Sequence, residues 1–229
     1  MRLEPLGDSA LILRVVDDFA RDPEASLNAV VAALRSLEAA AIPGVIELAP
    51  AYSTVGIFFD PAEIESFDAL TTLIGRAANT SSPAEERKIE PPLLEIPVCY
   101  EGEFAPDLND VASAAGLTAA EVIRRHSSAD YRVNCVGFIA GFPFMSGLPS
   151  ELATPRRAVP RKEVLAGSVG IGGPQTGVYP RKSPGGWNLI GRTPLRLFDI
   201  HSDPPAVLQA GDRVRFRQIS RQEFETFSQ

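Results

Sequence analysis

Apolar positions in the first 85 residues follow two rhythms. Leu3 to Leu6 and Ala10 to Val16 are apolar-rich runs around Gly7-Asp8-Ser9, which predicts two strands joined by a turn. Asp22-Pro23 then suits a helix start, with Asp22 at the cap and Pro23 in the first turn. Leu27, Val30, Val31, Leu34 and Leu37 follow at three- and four-residue spacing, one face of a helix that Pro43-Gly44 stops. Val45 to Leu48 and Thr54 to Phe59 read as a second strand pair. Asp60-Pro61-x-Glu63 repeats the helix-start device, and Ile64, Phe67, Leu70, Ile74 and Ala77 mark the buried face it opens. The order β-β-α-β-β-α predicts an α+β two-layer domain, one sheet covered by two helices, over residues 1–85.

Residues 79–92 (NTSSPAEERKIEPP) are polar, charged and proline-bearing, a linker composition. The second domain, 86–229, opens on a strand from Leu93 to Tyr100. Leu108, Val111, Ala112 and Ala115 then mark a helix ended by Gly116, and Thr118-x-x-Glu121 is a capping box opening Val122 to His126. Beyond Tyr131 the helical period vanishes. Glycines and prolines punctuate short apolar runs from Gly137 to Pro194, which predicts a β-barrel or sandwich. Ser220-x-x-Glu223 opens a short terminal helix.

Composition narrows the function. At 45% hydrophobic and 22% charged the chain has ample material for a core, which argues against disorder. A formal net charge of −7 supplies no electrostatic footprint for nucleic acid. The one basic run, Arg156-Arg157 to Arg161-Lys162, is broken by proline. No apolar stretch approaches the ~20 residues that span a bilayer, and the first residues lack the apolar region of a signal peptide. A cytoplasmic protein that engages neither membrane nor nucleic acid is expected. Cys99 and Cys135 read as buried free thiols. With only His126 and His201 beside them, a dedicated transition-metal site is not supported, and no metal ligands are assigned.

Three segments carry candidate chemistry. Gly137 to Pro149 alternates bulky apolar residues with glycine and proline: either a buried irregular connection, or a wall presenting Phe138, Phe142, Pro143 and Phe144 to a ligand or partner. Gly167 to Gly177 is glycine-rich. Its Ser168, Gly170, Gly172 and Gly173 suit a backbone cradle for an anion, and equally tight turns at a barrel rim. It lacks the Gly-Lys-Ser/Thr ending of a P-loop. His126 ends a helix, where it serves as a C-terminal cation or as a proton carrier.

Longer strings identify a resemblance. They are Gly7-Asp8-Ser9-Ala10, Gly102-Glu103-Phe104-x-Pro106-Asp107-Leu108, His126-Ser127-Ser128, Gly137-Phe138-x-x-Gly141-Phe142-Pro143-Phe144 and the Leu-Pro-x-x-Leu-Ala-Thr-Pro-Arg-Arg run at 148–157. To these are added the strings at 166–171, 175–180 and 183–194. Together they resemble the allophanate hydrolase subunit 1 / sporulation-kinase-inhibitor family, whose bacterial members mostly look like the B-type subunit of 5-oxoprolinase. The resemblance runs from about Leu6 to Phe216. The family usually has proline at the place of Ala140, and often a basic or small residue at that of Pro174.

The resemblance implies a cyclophilin-like barrel for residues 86–229. It implies a subunit, inactive alone, of an enzyme that hydrolyses 5-oxoproline to glutamate. The implied co-substrate is ATP with Mg, with no tightly bound cofactor. The implied partners are a protein of the allophanate hydrolase subunit 2 type (the C-type subunit of 5-oxoprolinase) and a third 5-oxoprolinase subunit. Residue chemistry and resemblance together place His126 (proton shuttle), Arg156, Gln175 and Tyr179 at the reacting groups. Ser168, Gly170, Gly172 and Gly173 would bind substrate or nucleotide, and Phe138, Phe142, Pro143 and Phe144 would meet a partner. Two alternatives remain: a non-enzymatic inhibitor of a sporulation-type sensor histidine kinase, and an allophanate hydrolase or urea carboxylase-type carboxyltransferase component.

Overall fold

The computed structural model describes residues 1–79, 91 and 93–227. The chain divides into two units, Met1–Glu90 and Pro91–Gln229. The boundary expected at 85/86, and the linker around it apart from Asn79 and Pro91, lie outside the described residues.

The first unit contains the elements β1 (Arg2–Pro5), β2 (Ala10–Arg14), α1 (Pro23–Ala40), β3 (Val45–Ala51), β4 (Thr54–Phe59) and α2 (Phe67–Asn79). The strands form an antiparallel sheet in the order β1-β2-β4-β3. Period-two alternation puts Leu11 and Leu13 of β2 beside Val55, Ile57 and Phe59 of β4 in one buried cluster. Leu27, Val30, Ala33 and Leu37 are the buried apolar residues of α1, and the last three enter that cluster with Leu70, Ile74 and Ala78 of α2. Asp22 caps α1 as expected, its carboxylate accepting from the Ala25 N–H at 3.0 Å.

Helix α2 begins later than Asp60-Pro61 predicts. The Asp60 carboxylate accepts from the Ala62 N–H at 2.8 Å, which closes a turn instead of a helix. Ser66 is the cap, its hydroxyl accepting from the Ala69 N–H at 3.1 Å. Phe67 therefore falls at the exposed helix start and leaves the core face.

The second unit is built on a seven-stranded barrel. Its strands are β5 (Leu93–Cys99), β6 (Tyr131–Val136), β7 (Pro143–Ser146), β9 (Ser168–Gly172), β10 (Gln175–Val178), β12 (Asn188–Arg192) and β13 (Arg213–Ile219). They follow the order β6-β13-β5-β12-β9-β10-β7, and β7 pairs back to β6. All neighbours are antiparallel except β13 with β5. Closure leaves no free edge among these seven strands. A separate ribbon pairs β8 (Arg161–Val164) with β11 (Ser183–Gly185).

Helices α3 (Leu108–Ala115), α4 (Ala119–Ser128) and α5 (Arg221–Phe227) complete this unit. Gly116 ends α3 in the left-handed region at φ 65°. Thr118 caps α4 through the Glu121 N–H, and Ser220 and Glu223 form a reciprocal capping box on α5. Among the described residues no helix is long and apolar enough to cross a membrane.

Candidate functional site

The glycine-rich segment is a hairpin, not an open loop. Strand β9 pairs with β10 on one side and with β12 on the other. Its interior backbone N–H groups are committed to those ladders, the Ser168 N–H donates to the Leu165 carbonyl at 3.2 Å, and the Gly173 N–H donates to the Thr154 carbonyl at 2.8 Å. Ser168, Gly170 and Gly172 are buried. The expected anion cradle at Ser168, Gly170, Gly172 and Gly173 is therefore corrected: these amides are already paired.

Close packing explains the glycines instead. A Cβ at Gly172 would stand 2.6 Å from the Trp187 ring, and one at Gly170 would stand 3.1 Å from the Trp187 Cβ. Gly177 is pressed in the same way by Phe142, and Gly185 by Tyr179. Phe142, Tyr179, Trp187, Val164 and Leu189 form one buried cluster, joined by half-buried Phe144. The Phe142 ring lies 5.0 Å from Tyr179, 5.4 Å from Trp187 and 4.8 Å from Phe144.

Arg156 is the exposed polar member of this group. Its guanidinium carbon lies 5.8 Å from the centroid of the Trp187 ring. Thr154 forms an antiparallel bridge with Gly173, which brings the Arg156 segment alongside the hairpin turn that precedes half-buried Gln175. Tyr179 departs from expectation. Its side chain is buried, the Trp187 backbone N–H donates to its hydroxyl, and burial raises its pKa. It is a wall of the aromatic cluster rather than a free hydroxyl.

His126 is also corrected. It touches the adjacent strands β6 and β13 and also β10, and is fully buried. The Thr176 hydroxyl donates to the Gly170 carbonyl at 3.0 Å, so it accepts from His126 Nε2–H at 3.0 Å. His126 Nδ1 then accepts from the Tyr100 hydroxyl at 2.9 Å. The ring stacks on Phe216 at 4.6 Å, and burial lowers its pKa to about 3. A neutral, fully paired imidazole without solvent access packs the barrel and shuttles no proton to a substrate.

The apolar segment divides. Phe142 and Pro143 are buried and Phe144 is half-buried against Trp187, which corrects their expected place at a partner surface. Phe138 alone stands out, 64% exposed on a backbone with φ 67°. That conformation is unfavourable for a bulky residue.

The pattern of residues did not single out Asp107. It reads there only as the start of α3, yet its carboxylate makes no cap. It is buried, and accepts from the Leu189 N–H at 2.6 Å, from Arg157 Nη1 at 2.9 Å and from Arg161 Nη2 at 2.6 Å. The signal was available in the string Gly102 to Leu108, but its partners lie 50 to 82 residues away. Arg157 also donates its backbone N–H to the Gly186 carbonyl, and Asn188 donates to the Pro155 carbonyl. The clamp thereby fixes the Arg156 segment against the Trp187 turn.

Comparison with known proteins agrees with this architecture. The family model described as "Carboxyltransferase domain, subdomain C and D" matches residues 1–208. The B-type 5-oxoprolinase subunit of Bacillus subtilis (strain 168) is 39% identical over 238 residues, covering 100% of this chain and 97% of the relative. The B-type 5-oxoprolinase subunit of Escherichia coli O157:H7 is 46% identical over 175 residues, covering 76% of this chain and 78% of the relative. The urea carboxylase of Kluyveromyces lactis shares the fold, with a TM-score of 0.73 at 20% identity over 98% of this chain and 22% of that one. The chain belongs to the family of carboxyltransferase subdomains C and D, on the branch whose curated relatives are named as the B-type subunit of 5-oxoprolinase.

Proposed function

We propose that this chain is the B-type subunit of an ATP-dependent 5-oxoprolinase, with a cyclophilin-like barrel carrying its site. The observation that carries this reading is the 39% identity to such a subunit along the full chain. A C-type subunit and a third subunit complete the enzyme, and the chain alone is inactive.

Opening a five-membered lactam with water is uphill unless coupled to another reaction. Transfer of the ATP γ-phosphoryl group to the lactam oxygen leaves ADP and an electrophilic ring carbon. Water adds there, the C–N bond breaks, and phosphate departs with glutamate. Such a path needs cations and donors around the phosphoryl oxygens and the developing oxyanion. Arg156 and Gln175 at the hairpin turn supply those residue types. Asp107 does not suit a divalent cation, because two arginines and a backbone N–H already occupy its oxygens. Mg would arrive with the nucleotide.

The test is reconstitution. This chain, mixed with the proteins encoded beside its gene, should release glutamate from 5-oxoproline only when ATP is present. No release from the full set overturns the reading.

A further inference from the structure

A concave site lies in the barrel unit, apart from the Trp187 cluster. It is a pocket of about 530 Å³, within the range of small-molecule sites. Arg181, Lys182, Arg192 and Arg196 line it, and among the described residues no acidic one does. In a chain of net charge −7 this is a local reversal of sign. Lys182 pairs with Glu163 at 2.6 Å and Arg196 with Asp199 at 3.0 Å. Arg181 and Arg192 have no ion pair among the described residues.

The site is built rather than incidental. Gly167, at φ 80°, lets the backbone press against the Thr193 carbonyl, where a Cβ would collide. The Gly167 N–H donates to the Tyr179 carbonyl at 2.7 Å, and the Thr193 N–H donates to the Gly167 carbonyl at 2.9 Å, so the floor is hydrogen-bonded. Arg192 is held by Nε–H donation to the Ala166 carbonyl at 2.8 Å, with its guanidinium 6.0 Å from the Phe104 ring and 5.9 Å from the Phe224 ring. The remaining lining is apolar: Leu195, Phe198 and Ile200, the last 73% exposed.

Two of the four cations, Arg181 and Arg192, have no carboxylate partner among the described residues, and with an apolar wall beside them in a concave site they favour one ligand chemistry. Guanidinium forks match phosphate oxygens, and the low-dielectric wall strengthens the field. We propose that this pocket binds a small phosphate ester, its phosphate among the four cations and its organic body against Phe198 and Ile200. The proposal concerns binding by this chain alone and does not depend on the lactam reaction.

Calorimetric titration of the chain at low ionic strength tests it, with phenyl phosphate, inorganic phosphate and phenol as probes. Phenyl phosphate should bind, inorganic phosphate about tenfold more weakly for want of the apolar contact, and phenol not measurably. Arg181→Glu should weaken phenyl phosphate at least about tenfold. Arg181 is exposed and has no ion pair to lose, so the fold is unaffected, and an unchanged melting temperature verifies this. Arg124→Glu, the same charge change on α4, should leave affinity unaltered. Ile200→Asp should remove the advantage of phenyl phosphate over phosphate. Absence of phenyl phosphate binding, equal binding of the two anions, or indifference to Arg181→Glu overturns the proposal.

Discussion

The Trp187 indole lies against the backbone of Gly172, closer than any side chain there would permit, since a Cβ would approach the ring to 2.6 Å. The glycines of β9 are thus demanded by an aromatic ring from the 186–187 turn. Gly172→Ala should destabilise the chain by about 1–3 kcal/mol through overpacking. Denaturant unfolding measures it. Pairing the change with Trp187→Leu, which shortens the opposing side chain, should recover part of the loss. Simple additivity of the two would show that the contact is not the cause.

Asp107 holds two arginines and one backbone amide with a single buried carboxylate. Asp107→Ala should cost about 3–5 kcal/mol, because two cations and an N–H lose their acceptor. Asp107→Asn, which keeps one acceptor oxygen, should cost less. Equal loss in both variants would indicate that the charge, not the hydrogen bonding, holds the clamp.

His126 makes stability depend on pH. Its folded pKa, about 3, lies below the ordinary 6.5, so the unfolded chain binds a proton that the native chain refuses. Its contribution is complete above pH 6.5 and falls as pH drops from there toward about 3. At a pH of about 4.5 the linked loss is about 2–3 kcal/mol. His126→Gln should be less stable than the native chain at neutral pH, yet show a flatter decline on acidification. Parallel curves for the two proteins would refute the linkage.

Arg156 is exposed over Trp187, so its removal should spare the fold. In the reconstituted complex Arg156→Ala should lower ATP-dependent glutamate release at least about 100-fold, as expected for a lost charged contact to the transition state. A large fall in melting temperature with little change in rate would make it a structural residue.

Phe138 and Phe144 should separate in behaviour. Phe138→Asp, at an exposed position, should weaken association with the proposed C-type partner in size-exclusion chromatography and leave circular dichroism unchanged. Phe144→Asp should instead lower the melting temperature, because it places a charge against Phe142 and Trp187. Co-elution of the Phe138 variant at low-micromolar concentration would place the interface elsewhere.

Local pattern was sufficient for most elements. The order β1 to α2, the α1 cap at Asp22, the end of α3 at Gly116 and both later capping boxes follow from residues close together in the chain. Such features depend on backbone groups that a neighbouring side chain can reach, so a linear reading recovers them. The start of α2 was less legible, because Asp60 and Ser66 each offer a cap within one short stretch.

Amino-acid sequence alone therefore determined the β-β-α-β-β-α order of the first unit, the helices α3 and α4, a glycine-punctuated β-rich remainder that was either barrel or sandwich, and the family strings. Tertiary structure decided what those strings do. His126 looked like a helix-end titratable group until α4 placed it between β6, β10 and β13, where desolvation keeps it neutral. Ser168 to Gly173 looked like an anion cradle until β10 and β12 paired with its strand and the Leu165 and Thr154 carbonyls took its two end amides. Asp107 gained its arginines, and Arg181, Lys182, Arg192 and Arg196 gained a common pocket, only when the barrel closed. The physical reason is the same in each case: burial and charge are properties of neighbours in space, and here those neighbours are as distant in the chain as His126 and Phe216.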